Sequence, residues 1–201
     1  MPKIKICGLR EKEDVEIAIR LGIDALGFIF YEGSKRFIEP DKARQIIKDI
    51  PPFISVAGVF VDAKIKEIKK IREYCGIDIV QLHGSEPFSY CLEFPRVIKA
   101  FRIEGDKDIE KIEGYKGITW LLDKKEKPYE LSIAKQLAKK GRVILSGGLN
   151  PENIKEAIRI VSPYGVDVSS GIEEYPGKKD HKKMEEFVRN AKLKNQNAKL
   201  R

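Results

Sequence analysis

Short apolar runs of strand length alternate with amphipathic stretches of helix length along the whole chain, and this alternation restricts the fold more than any other feature. Strand signals fall at 3–8, 24–30, 53–60, 78–82, 96–101, 118–122, 142–145 and 165–168. Helix signals fall at 11–21, 40–49, 63–74, 86–93, 106–113, 131–139, 151–161 and 180–191. The punctuation agrees: Pro40 and Pro87 open helices, Pro51 and Pro52 end one, and Gly141 closes another. Buried strands that alternate with helices build a parallel sheet. Eight such units close it into a (β/α)8 barrel, the TIM-barrel architecture of the α/β class, and 201 residues is near the lower size limit for it. A doubly wound open sheet is the alternative, but the Gly-rich dinucleotide fingerprint it would carry after its first strand is missing. No linker or low-complexity segment interrupts the pattern, so residues 1–201 are expected to form a single domain with a basic tail frayed from about residue 192.

Composition narrows the function classes. No apolar run approaches the roughly 18 residues a membrane span needs, and no signal-peptide pattern precedes the first strand. The 3 cysteines are far apart and odd in number, which argues against a disulfide framework and for a reducing cytoplasm. The 39 basic and 31 acidic residues leave a net charge of +8, which raises the question of nucleic acid. The lysines are spread over many helix faces, however, and cluster only at 124–127, 178–183 and 192–201, without interleaved aromatics. Attraction for a small polyanionic substrate accounts for the charge more simply.

In a barrel of this kind the active site lies where the strands end. The first strand ends at Cys7, and the loop after the second carries Ser34-Lys35-Arg36. The fourth supplies Gln81 and His83, and the sixth ends at Asp123. The seventh and eighth run into Gly147-Gly148 and Ser169-Ser170-Gly171. Backbone N–H groups in such Gly-rich turns, beside a helix start, suit an anion, and loops after the seventh and eighth strands often bind phosphate. A thiol and a carboxylate across the barrel mouth can act as base and acid on a substrate between them. A free thiol titrates near about 8.5, within reach of neutral pH if positive charge is close. Each residue also has a plainer reading: Cys7 as a small buried hydrophobe, Asp123 as a helix cap or surface ion pair, His83 as a structural histidine. Cys75, Cys91 and Trp120 are expected to pack, and His181 to lie at the surface.

The motifs together resemble the phosphoribosylanthranilate isomerase family of tryptophan biosynthesis. The resemblance is carried by Lys5-Ile6-Cys7-Gly8, Gly27-Phe28-Ile29-Phe30 with Ser34-Lys35-Arg36, and Val80-Gln81-Leu82-His83-Gly84. It continues through Leu121-Leu122-Asp123, Leu145-Ser146-Gly147-Gly148-Leu149-Asn150, Gly165-Val166-Asp167-Val168-Ser169-Ser170-Gly171 and Pro176-Gly177-Lys178-Lys179-Asp180. It implies an Amadori rearrangement of N-(5-phosphoribosyl)anthranilate, with Asp123 as general acid on the ring oxygen and Cys7 as general base. It implies that Arg36 holds the anthranilate carboxylate and that Gly147, Gly148, Ser169, Ser170 and Gly171 hold the phosphate. No metal or organic cofactor is implied, and the chain is expected as a monomer or homodimer. The rivals are the sister Amadori isomerase of histidine biosynthesis, which is expected to use two aspartates, and an inactive barrel that only binds a phosphorylated ligand or nucleic acid. One departure concerns the loop after Asp123. The family usually has a glycine-rich loop there, whereas Lys124-Lys125-Glu126-Lys127-Pro128-Tyr129-Glu130 contains no glycine. Such a loop is expected to add positive potential and not to act as a large lid.

Overall fold

The computed structural model describes residues 1–123 and 131–193. Its strands are β1 (Lys3–Cys7), β2 (Ala25–Ile29), β3 (Ser55–Phe60), β4 (Ile79–Leu82), β5 (Val97–Arg102), β6 (Thr119–Asp123), β7 (Val143–Leu145) and β8 (Gly165–Val168). They are parallel, run in sequence order, and close into a barrel because β8 pairs with β1. The helices are α1 (Lys12–Arg20), α2 (Pro40–Ile47), α3 (Ile65–Cys75), α4 (Phe88–Cys91), α5 (Lys107–Glu113), α6 (Leu131–Ala138), α7 (Ile154–Val161) and α8 (His181–Lys192). The expected (β/α)8 barrel is therefore the fold. The charged loop at 124–130, for which added potential in place of a lid was expected, and the tail at 194–201 lie outside the described residues.

Register decides which side chains fill the barrel. Lys5 is opposite Asp167 on one side and Ala25 on the other, and Cys7 is opposite Gly27. Alternation then sends Ile4 and Ile6 outward, where both are buried under the helices. The inward set splits by polarity. Ile98, Ala100, Leu121 and Ile144 form a small apolar cluster inside the barrel, backed by Ile79. Lys5, Asp167 and Ser146 supply polar groups on the other side. Outside the strands a continuous core takes in Phe28, Phe60, Met184 and Phe187. Burying a side chain the size of Phe187 contributes about 1.5–3 kcal/mol.

Several elements differ from expectation. β3 begins at Ser55, because Phe53 is 98% exposed and precedes the sheet. α4 is only Phe88–Cys91. Glu86, expected inside that helix, instead buries its carboxylate against the backbone N–H groups of Asp62 and Gly84 and the ammonium of Lys99. Pro151 does not open α7, which starts at Ile154 after a turn fixed by reciprocal bonds between Asn150 and Asn153. Between β8 and α8 the chain adds a short 3-10 turn (Ser170–Ile172) and an antiparallel hairpin of β9 (Glu173–Tyr175) and β10 (Lys178–Lys179) that sequence periodicity did not signal. Lys179, expected in a solvated basic cluster, is 1% exposed. Lys192, expected to begin the frayed tail, is the last residue of α8 and donates to the carbonyls of Leu21 and Gly22 at the end of α1. No helix among the described residues is long and apolar enough to cross a membrane.

Candidate active site

The carboxyl ends of the strands bring most of the expected residues to one mouth. Cys7 is the last residue of β1 and is buried. Its sulfur lies against the backbone of β2: a Cβ built on Gly27 would come within 2.6 Å of Cys7 Sγ, so only glycine leaves room for the thiol. Gly8 follows in the left-handed region, with φ +73. A Cβ there would come within 2.6 Å of Arg36 Cδ and 2.9 Å of Ser169 Oγ, so this turn draws the second and eighth loops toward the first strand.

Charge is dense around the thiol. Lys179 Nζ donates to the Cys7 carbonyl at 2.7 Å, to the Ser169 carbonyl at 3.2 Å and to Glu173 Oε1 at 3.0 Å. Arg36 grips the same Glu173 with Nε and Nη2, at 2.8 and 2.6 Å, in a two-pronged pair. Burial works to raise the Glu173 carboxyl, but Arg36 and Lys179 outweigh it and hold it below the usual glutamate value. Burial pulls the Lys179 ammonium down despite Glu173. The sequence places a thiol near neutrality if cations are close. The cations are present, yet burial outweighs the pull of Lys5 and Lys179 and pushes the Cys7 thiol up, with Asp167 adding to the rise.

Across the mouth, Gln81 Nε2 lies 3.0 Å from His83 Nδ1, and His83 Nε2 lies 3.2 Å from Asp123 Oδ2. These two contacts link Gln81, His83 and Asp123 into one bridge on this side of the mouth. Gln81 is buried, and its Oε1 has no hydrogen-bond partner among the described residues. Arg102, at the end of β5, stands opposite Asp123 in register and is exposed. The signal that could have found it was available in the sequence, since Ile98, Ala100 and Arg102 share one inward row.

The turns after β7 and β8 pack against each other. Gly147 and Gly148 are both left-handed, at φ +76 and +69. A Cβ on Gly171 would come within 1.9 Å of the Leu149 carbonyl oxygen, so the two loops touch through backbone at a point where only glycine fits. Ser169 stands just beyond β8, and Ser170 opens the 3-10 turn, both with some solvent exposure. All five expected anion-binding residues thus share one rim of the mouth.

Cys75 and Cys91 are buried packing residues, with the Cys91 thiol pushed up to about 11 by burial. Trp120 is buried and donates to the Tyr115 carbonyl. His181, expected at the surface, is half-buried and tied to Asp14. Among the described residues, Glu13, Asp14 and His181 are close enough to hold a cation, but Glu13 and Asp14 already pair with the Lys178 ammonium and His181 with Asp14. A cavity of about 800 Å³ opens at the opposite, amino-terminal end of the barrel, lined in part by Lys3, Ile79, Ile98 and Tyr164. None of the expected site residues lines it.

The chain is similar to known proteins over nearly its whole length. The family model described as N-(5'phosphoribosyl)anthranilate (PRA) isomerase matches residues 4–190. N-(5'-phosphoribosyl)anthranilate isomerase of Geobacter sp. (strain M21) is 43% identical over 201 residues, covering 96% of this chain and 98% of that protein. The crystal structure of a phosphoribosyl anthranilate isomerase in complex with reduced 1-(o-carboxyphenylamino)-1-deoxyribulose 5-phosphate superposes with a TM-score of 0.91 at 41% identity, covering 96% of this chain and 99% of that one. Monomers generated from the dimeric isomerase of Thermotoga maritima give a TM-score of 0.90 at 39% identity, over 96% of this chain and 99% of that one. By sequence and by fold, the chain belongs to the N-(5'-phosphoribosyl)anthranilate isomerase family.

Proposed function

We propose that the barrel isomerises N-(5'-phosphoribosyl)anthranilate with Asp123 as general acid and Cys7 as general base. One observation carries the assignment: both residues stand on inward rows at the carboxyl ends of strands of one closed barrel. A substrate held over the mouth then meets each from its own side. A proton from the Asp123 carboxyl goes to the furanose ring oxygen, the bond from that oxygen to the first sugar carbon breaks, and the amine lone pair forms an iminium. The iminium is an electron sink, so the proton on the second carbon becomes acidic enough for a side-chain base. Cys7 takes that proton, the C–H pair becomes a C=C bond, and the nitrogen is neutral again. Tautomerisation of the resulting enol gives the ketose.

Gly147, Gly148, Ser169, Ser170 and Gly171 are the proposed phosphate rim, supported by the left-handed glycines and the contact between the two turns. Arg36 is the proposed partner of the anthranilate carboxylate. Glu173 already holds its Nε and Nη2, so Glu173 sets the plane in which the rest of the guanidinium is offered. Gln81 and His83 are proposed to border the sugar beside Asp123. The partner is a small phosphorylated molecule, not nucleic acid or a membrane, and the reading places the enzyme in the cytoplasm. One copy carries both Cys7 and Asp123, so it suits a monomer or a homodimer equally.

The test is consumption of freshly made substrate, followed by fluorescence. The purified chain should turn it over, and Cys7→Ser should lower turnover by about 10²-fold or more, because a hydroxyl is a far weaker base. Near-normal turnover by a folded Cys7→Ser protein removes Cys7 from the mechanism.

A further inference from the structure

Below Cys7 on the same inward row of β1 lies Lys5, two residues earlier and buried. Its Nζ donates to Asp167 Oδ1 at 2.8 Å, across the β1–β8 pair. The other carboxylate oxygen, Oδ2, accepts from Ser146 Oγ at 3.2 Å, so Asp167 is held on both sides. From its place on that row the ammonium favours the Cys7 thiolate, against burial. The pair is 4% and 5% exposed at its side chains, inside a barrel whose other wall is filled by Ile98, Ala100, Leu121 and Ile144.

Packing does not explain a lysine here. Apolar residues fill the opposite wall without difficulty, and a buried ion pair is weak evidence for stability, since desolvation offsets much of the attraction. Its position explains it better. We propose that Lys5 is a positioning residue for proton abstraction: its ammonium, anchored by Asp167, is the counter-charge against which the Cys7 thiol becomes a thiolate. The inference rests on Cys7 as the base and adds what makes it one. Among the described residues, the charged groups that bear on the thiol are mostly cationic. Lys5 from β1 and Lys179 from β10 favour the anion, as does Arg36 after β2, while Asp167 from β8 opposes it. Lys179 and Arg36 are both bound to Glu173, whereas Lys5, paired with Asp167, stands on the same strand row as the thiol.

The experiment reads the thiol directly, by the ultraviolet absorbance of its thiolate as pH rises. Subtracting the same titration of the matching Cys7→Ser protein isolates this sulfur from Cys75 and Cys91. Lys5→Met should move the midpoint upward by about one unit or more, the size of shift an opposite charge at contact produces. That variant leaves Asp167 buried without its partner and can fail to fold. Lys5→Met with Asp167→Asn, which leaves no unpaired carboxylate, should still raise the midpoint. Asp167→Asn alone should lower it, because Lys5 then has the sulfur as its remaining anion. A structural role would move both single variants the same way or neither. An unchanged midpoint in the double variant, or a rise with Asp167→Asn, overturns the proposal. If Cys7 were not the base, these titrations would shift as stated while turnover by Cys7→Ser stayed normal, so the two readings fail separately.

Discussion

As the proposed base, Cys7 is where the requirements of the barrel and of the reaction oppose each other. Burial favours the neutral thiol, and the cations around it do not fully compensate. Only the thiolate can take the carbon-bound proton, so the active fraction grows as pH rises toward a thiol value above that of an ordinary cysteine. We expect kcat/KM to climb about tenfold per pH unit through neutrality, with the base limb levelling off above about 8.5. A profile flat between about pH 6 and 8 would assign the base elsewhere. Across the mouth, His83→Asn should break the bridge between Gln81 and Asp123. A hydrogen bond to a charged group contributes about 1.5–3 kcal/mol, so kcat should fall roughly tenfold to a hundredfold while KM changes little. A matching rise in KM with kcat intact would make His83 a substrate contact alone. Both Cys7 and Asp123 were legible because strand ends are visible in apolar runs and the chemistry of a barrel lies there. Lys5, Lys179 and Glu173 were not, because a charged residue reads as solvated until its partner across the fold is known, and those partners are as far as 172 positions away in sequence.

At the scale of elements, the β9–β10 hairpin carries charge back into the mouth. Gly177, at φ +92, makes its turn, and Glu173 accepts from Arg36, Lys179 and the Gly177 backbone. From the outside, buried Asp14 on α1 accepts from the Lys179 backbone N–H and from Lys178, and its carboxyl is held below the usual aspartate range by its bonds despite burial. The sign of the pH effect follows. Glu173 has a depressed value in the fold, so its contribution is fully present above the ordinary glutamate value of about 4.3. It is lost as pH falls below that, through the lower folded value. Acid should therefore loosen the hairpin, and amide exchange at 173–179 should accelerate below about pH 4, ahead of the barrel strands. Glu173→Gln should remove that acid step and raise KM by freeing Arg36. Hairpin exchange that follows the barrel at every pH would refute the coupling. The hairpin escaped the sequence because its strands are two and three residues long and largely polar, giving no alternation to detect. The eight barrel strands were legible for the opposite reason, being buried on both faces and rich in Val, Ile and Leu.

For the molecule as a whole, the net charge of +8 is the remaining property that ties sequence to function. Many surface charges cancel locally, as in Lys12 with Asp49, Lys42 with Glu11 and Lys69 with Glu93. Exposed pairs of this kind contribute little to stability. The surplus is positive, and the proposed substrate carries both a phosphate and a carboxylate, so attraction begins before contact. Screening shortens that reach from about 10 Å at 0.1 M salt to about 3 Å at 1 M. Association of a phosphorylated, carboxylate-bearing product analogue, followed by stopped-flow fluorescence, should slow steadily across that range. Release should change much less, because hydrogen bonds in the mouth are made at short range. Neutralising Lys124, Lys125 and Lys127 to Gln, which follow Asp123 directly in sequence, should lower the association rate at low salt and flatten its salt dependence. Turnover at saturating substrate should stay within about twofold, since no proton in the reaction passes through them. If association in the native chain is independent of salt, the positive surplus serves solubility and not substrate capture. If the triple variant keeps the native slope, the capture field comes from the lysines and arginines of the described barrel, with no share from this loop.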